Sequence, residues 1–69
     1  MNFETFNLDG EEYILVDEID DGENYYMYFK NDNVPLMVRK LDKNDEEYII
    51  PLDDTKEVLY AVSLLNNKI

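Results

Sequence analysis

The chain has 69 residues with no cysteine and no histidine, and its 17 acidic against six basic side chains give a net charge of −11. This length predicts a single domain over 1–69 with a thin core, and the absent residue types exclude disulfides and the usual zinc sites. Because 45% of the residues are hydrophobic and nine are aromatic, the chain is too apolar for an acidic disordered segment, and we expect it to fold.

The charges are unevenly distributed along the chain. Residues 1–29 contain nine acids and no basic residue, whereas all six basic residues lie between Lys30 and Lys68. An anionic surface attracts basic partners, and nucleic acid and anionic lipid repel it. We therefore predict a partner protein with a basic surface, and no direct contact with nucleic acid or with a membrane.

Membrane insertion and secretion are not expected. No apolar run approaches the roughly 20 residues that a membrane-spanning helix needs. The first residues lack the basic and apolar segments of a secretory signal, so the expected location is cytoplasmic. The sequence leaves the oligomeric state open.

Two Asp-Gly pairs predict hairpins in the first half. They occupy 9–10 and 21–22, between segments rich in β-branched and aromatic residues, and such pairs accept the positive φ angles of tight two-residue turns. A three-stranded meander is expected, with strands at about 3–8, 12–19 and 24–30.

A two-residue loop at 21–22 would set the register of the second hairpin, with Val16 opposite Met27 and Ile14 opposite Phe29. Alternation along each strand then divides the side chains between two faces. The expected core face holds Phe3, Ile14, Val16, Tyr25, Met27 and Phe29. The expected outer face, which is half polar, holds Glu4, Phe6, Leu8, Tyr13, Leu15, Asp17, Tyr26 and Tyr28.

The second half predicts two more strands and a helix. Strands are expected at about 35–41, where Pro35 is tolerated near the strand start, and at about 46–50. A helix is expected at about 54–67, because Asp54 and Glu57 form a capping pair. Its apolar stripe recurs with helical spacing at Val58, Ala61, Val62, Leu65 and Ile69. The predicted fold class is α+β, a four- to five-stranded antiparallel meander with one C-terminal amphipathic helix packed on one face.

Two segments resemble a known family. LDGEEYILV at 8–16 and EEYIIPLDD at 46–54 are similar to an uncharacterised family of small acidic cytosolic proteins of Gram-positive bacteria and their mobile elements. The resemblance implies a hairpin, a proline-containing strand end and a terminal helix, and a cytosolic location. It implies no activity and no site residue. The chain departs from the family's usual acidic tail at 66–69.

Catalysis is not expected, and we predict neither catalytic residues nor a cofactor. The hydroxyl nucleophiles have no histidine or cysteine beside them to act as a base of suitable pKa; they are Thr5, Thr55 and Ser63. Paired carboxylates could hydrolyse a glycoside, but a two-layer domain of this size hardly encloses a sugar.

A metal site is not expected either. The segment that begins at Asp17 has a glycine in the sixth position, as a calcium loop does, but Ile19 and Tyr28 occupy positions where ligands are needed. The segment that begins at Asp42 has Glu47 in the glycine position. Ordinary turns explain both segments.

Acids and tyrosines cluster around the second hairpin. Carboxylates beside aromatic rings bind arginine through ion pairs and ring stacking. The predicted partner-binding residues are Asp17, Glu18, Asp20, Asp21, Glu23, Tyr26 and Tyr28. The alternative interpretation is structural: tyrosine packs well on half-buried sheets, and surplus acids keep a surface soluble.

Three functions are consistent with this pattern. The first is a non-enzymatic module that occupies a basic surface, including that of a nucleic-acid-binding protein. Carboxylates on one face of a strand repeat at about 6.6 to 6.8 Å, near two phosphate steps of about 3.4 Å, so the module could mimic nucleic acid as phage-type inhibitors do. The second is a housekeeping protein that binds a cellular protein without mimicry. The third is a labile regulatory subunit that folds fully only on its partner.

Overall fold

A computed structural model describes residues 3–42, 44 and 48–68. Five antiparallel strands form one curled sheet in the order β1-β2-β3-β4-β5, and one helix follows them. The elements are β1 (Thr5–Leu8), β2 (Glu11–Asp20), β3 (Tyr25–Lys30), β4 (Met37–Leu41), β5 (Ile49–Pro51) and α1 (Thr55–Lys68). The predicted α+β meander with a C-terminal helix is confirmed.

The predicted boundaries differ most where local chemistry is irregular. β4 begins at Met37, after Pro35, because proline cannot donate to a ladder. The fifth strand was expected from 46, but 45–47 lie outside the described residues, and β5 is seen at Ile49–Pro51. Within the described part of the chain, every buried side-chain nitrogen and oxygen has a hydrogen-bond partner.

The first hairpin has the expected two-residue turn. Asp9 and Gly10 have φ angles of 55° and 86°, and Leu8 lies opposite Glu11. Both positive angles are those of a type I′ turn, whose twist matches that of the flanking strands. The prediction for this turn is confirmed.

The register predicted for the second hairpin is wrong. Ile14 lies opposite Lys30 and Leu15 opposite Phe29, and after an irregularity at Val16 the pairing resumes with Asp17 opposite Tyr28. The loop spans 21–24 rather than 21–22, because the strands end with the pair Asp20 and Tyr25. The extra residue at 16 is a β-bulge, which lets two residues of β2 oppose one of β3.

The helix covers the side of the sheet that carries Tyr26 and Tyr28, two residues expected on the outer face. The predicted division of faces is wrong for four other residues expected beside them, which pack on the opposite side with Met27 and Phe29: Phe6, Leu8, Tyr13 and Leu15. On the helix side, Tyr26, Tyr28 and Val38 are buried against Ala61 of α1. The partly buried residues packed on this helix-side core are Ile19, Leu52, Val62, Leu64 and Leu65. The predicted stripe is therefore right at Ala61, Val62 and Leu65, whereas Ile69 lies outside the described residues.

The opposite face has a core of its own. Tyr13, Met27 and Phe29 are buried in it, and the ring of Phe6 contacts that of Phe29 edge to face at a centroid distance of 5.3 Å. The sheet curls enough for Arg39 Nη2 of β4 to reach Asp9 Oδ2 in the first turn at 2.8 Å. The sequence predicts a core on one face of the sheet, whereas the curled sheet has a core on each face.

Two residues expected in the core are on the surface. Phe3 is 62% exposed and Val16 is 49% exposed. Phe3 precedes β1, and Val16 is the bulge residue, so neither lies in a regular ladder where alternation would bury it.

The helix begins as predicted. Asp54 Oδ1 accepts the amide of Lys56 at 2.9 Å, and the Asp54 carbonyl accepts the amide of Val58 at 3.0 Å. This is the geometry of an N-cap. The Glu57 carboxylate instead lies over the sheet, where Lys40 Nζ contacts it at 3.0 Å and the Tyr26 hydroxyl donates to it at 2.9 Å.

Candidate acidic interface on the second hairpin

The loop of the second hairpin is held by its own carboxylates. Asp21 Oδ1 accepts the amides of Glu23 at 2.9 Å and of Asn24 at 2.7 Å, and Asp20 Oδ1 accepts the amide of Gly22 at 2.8 Å. Gly22 has a φ of 98°, which glycine adopts without steric cost. Asx-type bonding explains why the loop takes four residues instead of two.

Two of the predicted binding acids face the helix and hold it on the sheet. Asp17 Oδ1 accepts Lys68 Nζ at 2.6 Å, and the Asp17 side chain is 28% exposed. Asp21 Oδ2 accepts the Tyr60 hydroxyl at 2.7 Å. These contacts tie the hairpin to both halves of α1, so both acids contribute to the tertiary structure.

The contacts of Asp17 change its titration. The hydrogen bond from Lys68, followed by the one from the Glu18 amide, lowers the pKa of Asp17 below its ordinary value. Donors favour the charged form of a carboxyl group. Asp17 therefore stays ionised to a lower pH than an isolated aspartate.

The other predicted acids are exposed at the hairpin end. Glu18 and Asp20 lie two residues apart on the face away from α1, opposite Met27 and Tyr25, and Glu23 lies in the loop; all three are exposed. The Tyr25 hydroxyl donates to Glu18 Oε2. We call Glu18, Asp20, Glu23 and Tyr25 the acidic patch.

Tyr26 and Tyr28 were expected to contact the partner, and that placement is wrong. They are 1% and 0% exposed, and the Tyr28 hydroxyl donates to the carbonyl of Ala61 at 2.6 Å. Burial is the main cause that raises the pKa of both tyrosines, because it disfavours the charged phenolate. Both rings lie under α1, where a partner cannot stack on them.

Tyr25 is the aromatic residue that the sequence prediction missed. It is half-buried and lies directly opposite Asp20 at the last pair of the hairpin. A four-residue loop would have given this register, and the signal for it was Asp21, whose carboxylate accepts the amides of Glu23 and Asn24.

A surface depression lies beside the bulge. It has a volume of about 340 Å³ and is lined by Leu15, Val16, Asp17 and Glu18. Among the described residues, no group of three histidine, cysteine, aspartate or glutamate side chains is placed to hold a metal ion. In the same described ranges, no helix is long and apolar enough to cross a membrane.

The chain matches no protein-family model, no characterised protein and no solved structure.

Proposed function

We propose that this chain is a non-enzymatic acidic module that binds a basic surface of a partner protein through the acidic patch. The observation that carries the proposal is the exposed Glu18, whose carboxylate accepts the hydroxyl of the half-buried Tyr25, with the exposed Glu23 in the adjoining loop. This half of the chain has no basic residue. Carboxylates next to an aromatic ring suit arginine, which forms ion pairs and stacks on rings.

The net charge supports the same partner class. A protein of charge −11 is drawn toward basic surfaces over about one Debye length, roughly 8 to 10 Å at physiological salt, and such steering raises the association rate. We further propose a cytoplasmic location, since the chain has no cysteine for the disulfides that small secreted domains use.

The finer form of the proposal is mimicry of nucleic acid by an inhibitor of phage or mobile-element type. Glu18 and Asp20 share a face and repeat at about 6.6 to 6.8 Å along β2, near two phosphate steps. Asp17 and Asp21 face α1. The face away from α1 therefore carries two carboxylates of the repeat within the hairpin, those of Glu18 and Asp20. The alternative is a housekeeping protein of the family named above that binds a cellular protein without mimicry.

The test is a charge reversal with a matched control. Glu18→Lys with Glu23→Lys changes the net charge from −11 to −7, since each replacement adds two. Glu12→Lys with Asp32→Lys makes the same change at exposed positions toward the other end of the hairpin. We expect a partner captured from lysate by the wild type and by the control, and lost with the Glu18 and Glu23 variant, because that variant places repulsive charge at the interface.

The captured partner also decides between mimicry and its alternative. A nucleic acid that the partner binds should compete with the chain, and simultaneous binding of both at full affinity would favour the housekeeping function. If the two charge-reversed variants capture the partner equally well, the acidic patch is not part of the interface.

A further inference from the structure

Within the part of the chain that the structure describes, the stretch 16–19 of β2 is paired on one side only and forms an open sheet edge. β1 pairs with β2 only as far as Thr5 opposite Ile14, with one further hydrogen bond from the Leu15 amide to the Glu4 carbonyl at 3.0 Å. Among the described residues, no strand pairs with 16–19 on the side away from β3. An open edge presents backbone donors and acceptors to which another strand can add.

The backbone of Glu18 points toward this edge. Its amide donates to Asp17 Oδ1 at 2.8 Å, and its carbonyl accepts Lys68 Nζ at 3.5 Å. In an antiparallel ladder the amide and carbonyl of one residue point to the same side. Both groups that would bind an added strand are thus held by side chains, and we call Asp17 and Lys68 the clasp.

The edge also has room for a strand. The depression of about 340 Å³ is lined by Leu15, Val16, Asp17 and Glu18, and the exposed Val16 offers an apolar contact there. Bulges commonly occur where pairing ends and a side chain is redirected.

We propose that the open edge of β2 at 16–19 binds an extended, basic segment of the partner by strand addition, and that the segment displaces Lys68. This inference rests on the proposed function, because it assigns a binding mode to the same basic partner. Lys68 shows the chemistry of the site, since its ammonium lies between the Asp17 carboxylate and the Glu18 carbonyl. A second copy would bring Asp17 and Glu18 against like charges, which disfavours it as the occupant.

The first experiment separates strand addition from charge attraction. The probe is a capped octapeptide that alternates lysine with valine or threonine, and the control peptide replaces each valine or threonine with proline at equal charge. Because proline lacks a backbone donor, we expect the probe to bind about tenfold more tightly, the effect of about two hydrogen bonds. Only the probe should slow hydrogen exchange of the Glu18 amide, measured by NMR.

The second experiment tests the clasp. Lys68→Gln and Lys56→Gln each change the net charge from −11 to −12, but only Lys68 contacts Glu18. Lys68→Gln should tighten binding of the probe by up to about fivefold relative to Lys56→Gln, since an exposed ion pair has a modest strength. Circular dichroism should show both variants folded.

Three results would overturn the inference. If both peptides bind with equal affinity and hydrogen exchange of the Glu18 amide is unchanged, charge attraction alone explains binding. That result excludes strand addition and leaves the proposed function standing. The proposed function has its own test: it fails if the variant with Glu18→Lys and Glu23→Lys captures the partner as well as the wild type does. No measurable binding of the probe, or a dimer in sedimentation that protects the Glu18 amide without peptide, would also exclude a basic segment as the occupant.

Discussion

The tyrosines of β3 illustrate how alternation within one strand separates structural from surface roles. Tyr26 and Tyr28 lie under α1, and each hydroxyl has an acceptor on the helix, Glu57 and Ala61 respectively. Tyr25 lies on the opposite face at the hairpin end. A large apolar ring with a satisfied hydroxyl is well suited to the boundary between a sheet and a helix. The two buried rings therefore stabilise the two-layer arrangement.

Tyr28 should be the most sensitive of these residues. Tyr28→Phe removes one buried hydrogen bond and should lower the free energy of unfolding by about 0.5 to 1.5 kcal/mol. Tyr28→Ala also leaves a cavity, which costs about 3 to 5 kcal/mol for an aromatic residue, and should unfold a domain of this size. Urea unfolding measures both, with Tyr25→Ala as a control that should stay folded. A folded Tyr28→Ala protein would contradict the burial of Tyr28 under α1.

At the level of elements, local chemistry predicted the structure wherever neighbouring residues decide it. The turn at Asp9 and Gly10 and the helix start at Asp54 depend on backbone angles and a side-chain cap within a few residues. The second hairpin is different, because its loop depends on competition between a tight turn and carboxylate bonding by Asp21. A bulge at Val16 then alters the register, and alternation alone does not reveal a bulge.

The candidate site was predictable in charge but not in orientation. The sequence marks the acids of the second hairpin, and the structure places Glu18, Asp20 and Glu23 on the surface. Asp17 and Asp21 face α1 because they accept hydrogen bonds from Lys68 and Tyr60 respectively. These donors lie about 40 to 50 positions later in the chain. Tertiary packing decides which face of the sheet the helix covers, because both faces are apolar enough to accept it.

The N-cap of α1 gives a prediction at this scale. Asp54→Ala should lower the free energy of unfolding by about 0.5 to 2 kcal/mol, because the Lys56 amide loses its acceptor. Asp53→Ala removes the same charge from an exposed neighbour and should change stability by less than about 0.5 kcal/mol. Urea unfolding followed by circular dichroism measures both. Equal losses would show that charge near the helix start, rather than the cap, stabilises α1.

In the whole molecule, folding partly compensates the uneven charge of the sequence. Of the three ion pairs in the described residues, Arg39 with Asp9 and Lys68 with Asp17 join the second half to the first half, which has no basic residue. Lys40 with Glu57 lies within the second half. The acids still outnumber the basic residues by 11, so repulsion among them opposes the compact state.

Salt should therefore stabilise the protein. Raising NaCl from about 10 to 300 mM shortens the Debye length from roughly 30 to below 8 Å. This screens the repulsion of 11 unbalanced charges more than it weakens the ion pairs seen among the described residues. A relief of about 1 kcal/mol would raise Tm by roughly 4 to 8 °C, measured by circular dichroism. Glu12→Lys with Asp32→Lys, at a charge of −7, should show a smaller rise. A Tm that falls with salt would mean that the ion pairs outweigh the repulsion, and a chain that folds only at high salt would support the labile regulatory subunit.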